Sequence, residues 1–158
     1  MRRHERQVTE KDVLEGYIGR CFFMTLAMVD DGKPYALPMN FGYENGIVYM
    51  HSALAGKKVD LLRRAGSLPV QLVFVAHAGL LEKGGPDGPA CSLSSSYTSV
   101  IAEGELEEVT DAEEALRGMR TILRQTGMGK KALPENSMKS VLMLKVRLAV
   151  MTGKANNA

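Results

Sequence analysis

The residues best placed to do chemistry lie where a predicted β-hairpin runs into a predicted helix. Ser52 follows a short apolar strand, and Lys57 and Lys58 occupy the first turn of the helix that comes next. A phosphate needs hydrogen-bond donors and positive charge, and the free N–H groups of a helix start add to both. Without an anion, cations at this end of a helix oppose its dipole and are mildly unfavourable. The spacing alone leaves two interpretations equally open, a phosphate site or a loop serine beside two solvated lysines, and the unfavourable placement of the cations is the argument for an anion.

His51 ends the strand just before this loop and is the candidate catalytic residue. An imidazole there could hydrogen-bond a cofactor or substrate and titrate near neutral pH. A packed or solvent-facing histidine is the alternative, because the sequence offers it no identifiable acidic partner. A second candidate is the hydroxyl-rich stretch from Ser92 to Ser99, which either offers donors to a ring or phosphate or forms a solvated loop.

Composition and missing motifs argue against several classes of function. The net charge is only +2, from 20 Lys and Arg against 18 Asp and Glu, so we expect no nucleic-acid partner. The two cysteines lack metal-ligand spacing, so we expect no metal site and a reduced, cytoplasmic setting. The charged N-terminus leads into no long apolar segment, so we expect neither a signal peptide nor a membrane span. No Walker, G-x-G-x-x-G or G-x-S-x-G motif accompanies the candidate site.

Three predicted helices and six predicted strands must position these residues. Apolar faces with polar or glycine boundaries predict helices at about 9–17, 56–64 and 110–125. β-prone runs predict the strands Cys21–Val29, Pro34–Tyr43, Ile47–His51, Pro69–Ala76, Tyr97–Val109 and Lys139–Met151. Asn45-Gly46 predicts a tight hairpin turn, Gly104 a nearby bulge, and the glycine- and proline-rich run 83–89 a loop.

The last strand alternates strongly, and this predicts one buried face, made of Leu142, Leu144, Val146, Leu148 and Val150. Hairpin connections without a β-α-β rhythm predict a mainly β member of the α+β class. We therefore expect one domain over residues 1–158, built as an antiparallel barrel with helices packed outside.

Four segments in order carry a family resemblance: MRRHERQVTEKD, LAMVDDGKPYALPMNFGYENGIVYMHSALAGKKVDLLRR, YTSVIAEGELEEV and VMTGK. They resemble the flavoproteins related to pyridoxamine 5′-phosphate oxidase, and most of all the nitroimidazole-resistance (Nim-like) branch. The resemblance implies a split β-barrel of the FMN-binding type. It also implies a homodimer with two flavin sites at the subunit interface.

The resemblance assigns roles to particular residues. It implies that Ser52, Lys57 and Lys58 hold the FMN phosphate. It places the isoalloxazine ring along Pro38, Met39 and Asn40. His51 matches the position of the HSA motif near the flavin, while Tyr97 and Ser99 match a YxSV motif that could face the site of the partner subunit. Nim-like relatives often carry an arginine in that motif where this chain has Thr98.

The activity implied is that of an FMN-dependent oxidoreductase. It would take electrons from a reduced donor such as NAD(P)H and pass them to a small electrophile, a nitroaromatic on the Nim-like interpretation. A flavin- or haem-binding module without turnover is the alternative, since one fold serves several ligands. Oxidation of pyridoxamine phosphate is disfavoured, because the chain lacks an arginine-rich element for a second phosphate. A polyanion-binding protein is disfavoured by the charge balance.

Overall fold

A computed structural model describes residues 3–82, 85 and 87–156 of the chain. In these residues the elements run in the order β1 (Gln7–Val8), α1 (Lys11–Gly19), β2 (Phe23–Asp30), β3 (Lys33–Asn40), β4 (Gly42–Glu44), β5 (Ile47–Ser52), α2 (Lys57–Ala65), β6 (Leu68–Glu82), β7 (Leu93–Glu108), α3 (Ala112–Gln125) and β8 (Leu142–Asn156). The strands form one antiparallel sheet in the order β3-β2-β6-β7-β8-β5-β4, and β1 pairs with β8.

The sheet curls but does not close. β3 and β4 are its two edge strands, and β3 comes close to β5, with no ladder between them in the described residues. This gap is the split of an open antiparallel barrel. The predicted fold class, mainly β with a few peripheral helices, is therefore confirmed.

Most of the core lies on one face of the sheet, where α1 and α2 also pack. α1 buries Leu14 and Ile18, and α2 buries Val59, Leu61 and Leu62. A smaller cluster joins α3 to β5. There α3 packs directly on the backbone of β4, because a Cβ added to Gly42 would collide with the backbone of Thr121 and Ile122.

A single glutamine fastens α3 to the end of α1. Nε2 of Gln125 donates to the carbonyl oxygens of Ile18, Gly19 and Cys21, at 3.1, 3.2 and 2.9 Å. The last carbonyls of a helix have no partner within the helix. The amide of Gln125 therefore adds, from another element, a donor to the carbonyls of Gly19 and Cys21 and a second donor to that of Ile18, which also accepts from the N–H of Cys21.

The local turn signals are confirmed, but the predicted face of the last strand is partly wrong. Asn45 and Gly46 adopt φ of 51° and 79°, as a tight hairpin turn requires. The bulge near Gly104 is present, with the extra residue, Ala149, on β8. Beyond it the alternation reverses, so Val150 is 52% exposed while Met151 packs against the core. The prediction that Val150 is buried was wrong because it assumed that the alternation continues unchanged past the bulge.

Several predicted segments differ in extent from the observed elements. β7 begins at Leu93 rather than Tyr97, so most of the hydroxyl-rich stretch is strand and not loop, and β8 covers Leu142–Asn156 rather than Lys139–Met151. The predicted strand Pro34–Tyr43 is two strands, because Phe41 leaves the ladder and is fully buried against Phe74. The strand predicted to end at Ala76 continues to Glu82 and pairs with β7 over its whole length. In the predicted loop 83–89, residues 83, 84 and 86 lie outside the described residues.

Candidate functional site

The split between β3 and β5 brings together most of the predicted site residues at the start of α2. β5 ends at His51 and Ser52, which pair with Met143 and Leu142 of β8. After four intervening residues the chain enters α2 at Lys57. β3 passes the same point, since Sδ of Met39 lies 3.4 Å from Nζ of Lys58. One helix start and two strands that do not pair with each other therefore border a single opening.

The start of α2 is built to leave its N–H groups available. Gly56 precedes the helix with φ 122° and ψ 166°, a conformation that is essentially restricted to glycine. No side chain of the described residues caps this end, and the first backbone bond runs from the N–H of Asp60 to the carbonyl of Gly56. The N–H groups of the first turn can therefore donate to an anion.

Lys58 is a buried cation without an acidic partner. Its exposed fraction is 8%, and no carboxylate of the described residues lies within 4 Å of Nζ. Burial lowers its pKa. Burying an unpaired ammonium costs several kcal/mol, roughly, so the site as it stands is electrostatically incomplete. A bound anion would offset that cost.

His51, a neutral group, also has a buried polar atom without a partner. Its Nδ1 is buried and has no hydrogen-bond partner in the described residues. Burial, and to a lesser degree the positive charge of Lys58, lowers the pKa of His51. The imidazole is therefore neutral at pH 7, with one nitrogen that donates and one that accepts. A buried polar atom without a partner is uncommon in folded proteins, and it is a place where a ligand atom would fit.

Lys57 does not lie beside Lys58 but turns along β3. Its Nζ is 3.0 Å from Oδ2 of Asp30 and 4.6 Å from the centre of the Tyr35 ring, and its side chain is 53% exposed. The other carboxylate oxygen of Asp30 accepts from Nη2 of Arg64 at 3.0 Å. The sequence analysis assigned no role to Asp30 and missed this ionic group. The one signal in the sequence that could have indicated this group is the spacing of Lys57 and Arg64, which lie two turns apart on α2.

β3 offers the site its unpaired edge. Pro38, Met39 and Asn40 pair with β2 on one side, and the other side faces the split. Along an edge strand, alternate residues direct their N–H and C=O groups away from the sheet. Met39 points toward α2 and the core, whereas Pro38 is exposed on the opposite face and Asn40 donates to the carbonyl of Phe22. Unpaired main-chain atoms of this segment and the Met39 side chain therefore border the opening, whereas the side chains of Pro38 and Asn40 are directed elsewhere.

Tyr97 and Ser99 lie far from this opening within one chain. Ser99 pairs with Lys154 of β8, whereas His51 pairs with Met143 of the same strand, a separation of about 36 Å along the strand. The Tyr97 hydroxyl accepts from Nη1 of Arg6 at 3.4 Å, and Nζ of Lys154 lies 5.5 Å from the centre of its ring. Their predicted place at a flavin therefore needs a site on another copy of the chain.

The fold is that of the pyridoxamine 5′-phosphate oxidase family, and the chain belongs to it, since the model of that family matches residues 10–155. This confirms the flavin-binding family indicated by the sequence motifs. None of the curated proteins compared with the chain matches it. Within the described residues no helix is both long and apolar enough to cross a membrane, and no group of three His, Cys, Asp or Glu side chains could hold a metal ion.

Solved structures with the same fold include a proposed 5-nitroimidazole antibiotic resistance protein from Bacteroides thetaiotaomicron. It is 29% identical, with a TM-score of 0.80, and the match covers 94% of this chain and 85% of that one. The FAD and haem binding protein of Mycobacterium smegmatis is 18% identical, with a TM-score of 0.83 and coverage of 97% and 74%. The flavocytochrome Anf3 of Azotobacter vinelandii is 16% identical, with a TM-score of 0.81 and coverage of 100% and 72%. The last two show the fold alone.

Proposed function

We propose that this protein binds FMN in the split between β3 and β5 and acts as an oxidoreductase. It passes electrons from a reduced donor such as NAD(P)H to a small electrophile, with a nitroaromatic as the proposed acceptor class. The observation that carries the proposal is the buried, unpaired Lys58 at an uncapped helix start, beside the unpartnered Nδ1 of His51. Membership of the family and the 29% identity to a proposed nitroimidazole resistance protein support it.

The residues present fit the parts of FMN. Lys58 and the free N–H groups of the first turn of α2 bind the phosphate, and the Ser52 hydroxyl adds a donor. The open edge of β3 at Met39 and Asn40 offers main-chain donors and acceptors to the polar atoms of the ring. When bound, FMN supplies reversible two-electron chemistry, and the protein contributes position and electrostatics.

His51 offers a hydrogen bond, not a charge, to a molecule bound at this site. Because burial and Lys58 keep it neutral, it gives the ring or the acceptor one donor or one acceptor nitrogen without a net charge. Its neighbour Lys58 supplies the only cation that we place inside the opening. The proposed catalytic role of His51 is to orient the acceptor against the flavin.

We also propose that the working unit is a homodimer. A groove of about 890 Å³ crosses the outward face of β2, β6, β7 and β8, lined among others by Ala27, Pro69, Glu103 and Arg147. The same face and its margins carry large exposed apolar side chains, namely Phe23, Val29, Val75, Ile101 and Val150. A second copy covering this face would bury them and could bring its Tyr97 and Ser99 to the flavin.

The first experiment is the absorbance spectrum of the purified protein, before and after addition of FMN. Flavin bands, followed by bleaching with NADH or NADPH in anaerobic solution and reoxidation by a 5-nitroimidazole, would support the proposal. A flavin that no nicotinamide reduces would contradict the oxidoreductase role. A Soret band would instead indicate a haem-binding module, and no binding of FMN would refute the site.

The shared site is tested by mixing two inactive variants. If Lys58 and Tyr97 reach one flavin from different chains, Lys58→Met and Tyr97→Ala subunits exchanged into mixed dimers regenerate one intact site in each. After random exchange, about a quarter of all sites should bind FMN with wild-type affinity. No recovery, with exchange shown by sedimentation of tagged chains, would contradict a site shared between subunits.

A further inference from the structure

Asp30 lies at the end of β2 and ties together two cations of α2. Its carboxylate oxygens lie 3.0 Å from Nζ of Lys57 and 3.0 Å from Nη2 of Arg64, and its side chain is 22% exposed. Hydrogen bonding from Lys57 is the largest cause that lowers the pKa of Asp30. The carboxylate is therefore ionised at neutral pH, and it forms ion pairs with both cations.

These residues lie next to the proposed phosphate position, because Lys57 is adjacent to Lys58 in the first turn of α2. The ring lies at Pro38–Asn40, and the phosphate lies at Lys58, which contacts Met39. Tyr35 is on the same strand and on the same face as Met39, about 13 Å further along the strand, and carries Lys57 over its ring. A cofactor that extends beyond its first phosphate in this direction reaches Tyr35 and Lys57, and then Asp30.

FMN and FAD differ only beyond the first phosphate. FMN ends there, whereas FAD continues with a second phosphate, a ribose and an adenine. Lys57, Arg64 and an aromatic ring are the groups that would bind this extension, because cations take phosphate and Tyr stacks on a base. The carboxylate of Asp30 satisfies both cations and adds a negative charge of its own. A second phosphate would have to displace it and then lie beside it.

We propose that Asp30 is a specificity-determining residue that makes this site select FMN over FAD, because its carboxylate holds the two cations that the second phosphate of FAD would need. The inference rests on the proposed flavin site. It goes beyond it by assigning the choice of flavin to one acidic side chain that does not touch the first phosphate.

The test compares dissociation constants for FMN and FAD, measured by quenching of flavin fluorescence, in the wild-type protein, Asp30→Asn and Asp31→Asn. Asp31 is a matched control: it is adjacent and exposed, and its φ of 49° is one that asparagine accepts. Both variants lose one negative charge, but only Asp30→Asn releases Lys57 and Arg64. Asp30→Ser removes the same charge with a smaller side chain, so the result does not depend on how asparagine packs.

We expect the wild type to bind FMN more tightly than FAD. In Asp30→Asn and Asp30→Ser the ratio of Kd for FAD to Kd for FMN should fall about tenfold, against about twofold or less in Asp31→Asn. The inference is overturned if the wild type prefers FAD, if the ratio does not move at position 30, or if Asp31→Asn moves it equally. Failure of the wild type to bind FMN, FAD and riboflavin alike would instead reject the flavin site itself, and this inference with it.

Discussion

The two lysines at the start of α2 are adjacent in sequence but should differ sharply in their contribution to binding. Lys58→Met removes a cation that is 8% exposed and has no acidic partner in the described residues, while keeping most of the side-chain volume. Lys57→Met removes one that is 53% exposed and paired with Asp30. The two variants lose the same charge from the same turn. Any difference between them therefore reports the burial of the cation, not the net charge of the protein.

The expected loss of FMN affinity in each variant can be estimated from the burial of the lysine that it replaces. Truncating one partner of a desolvated, hydrogen-bonded charge pair costs about 2–5 kcal/mol, whereas an exposed pair contributes about 1 kcal/mol or less. For Lys58→Met we take about 3 kcal/mol, which corresponds to roughly a 150-fold weaker Kd for FMN. Lys57→Met should weaken FMN by no more than about fivefold. Riboflavin lacks the phosphate, so its Kd should change by about twofold or less in both variants.

The free energy of unfolding of the ligand-free protein provides an independent test of the Lys58→Met variant. Because Lys58 is buried without a counter-charge, replacing it with methionine should leave the apo protein as stable as the wild type or more stable. The assay combines fluorescence titration of FMN and riboflavin with urea unfolding of the apo proteins. Equal weakening of FMN and riboflavin by Lys58→Met would show that the phosphate does not lie at Lys58. A larger effect of Lys57→Met on FMN would refute the argument from burial.

Three further predictions concern the titration of the site and the packing around it. Burial holds the pKa of His51 in the folded state below its usual 6.5, so the unfolded chain takes up this proton first as pH falls. Stability of the apo protein should therefore drop below about pH 6.5, and His51→Gln should reduce that drop when urea unfolding is compared at pH 7.5 and 5.5. Gly42→Ala should destabilise by about 2 kcal/mol or more, since its Cβ meets the backbone of α3, whereas Gly16→Ala meets nothing within 4 Å in α1 and should stabilise by about 0.5–1 kcal/mol in the same assay. Gln125→Leu should cost about 1–3 kcal/mol by removing the side-chain donor that the carbonyls of Ile18, Gly19 and Cys21 share, and Gln125→Glu at neutral pH should cost more because a carboxylate then faces them. An Ala substitution at Gly16 as costly as the one at Gly42, or a Glu at position 125 milder than Leu, would contradict these packing arguments.

Much of this site was predictable because its signals are local. The Asn45-Gly46 turn, the start of α2 after Gly56 and the order strand, loop, helix all depend on residues a few positions apart. The contrast between the two lysines was also present in the helical spacing. Lys58 lies three and four residues before Leu61 and Leu62, on the buried face, whereas Lys57 aligns with Asp60 and Arg64.

The remainder depends on contacts between distant segments, which no local pattern carries. Asp30 contacts Lys57 only because the fold brings the end of β2 to α2, which packs on the core face of the sheet. The burial of Val150 was predicted wrongly because the extra residue, Ala149, has no signature in the alternation of its own strand. The separation of Tyr97 from His51 arises from where each strand pairs on β8, which is a property of the sheet order.

The pairing of β5 with β8 also determines when the site can form during folding. His51 and Ser52 take their register from Met143 and Leu142, which come almost at the far end of the chain. Ladders between such distant segments close late and slowly, because the loop entropy is lost before the contacts form. A chain emerging from the ribosome can make the hairpin of β4 and β5 and the helix α2 early, but it cannot fix them against β8 until residues 142–156 have been synthesised. Flavin binding should therefore appear only after the last strand is released, and its appearance would report that the whole sheet has assembled.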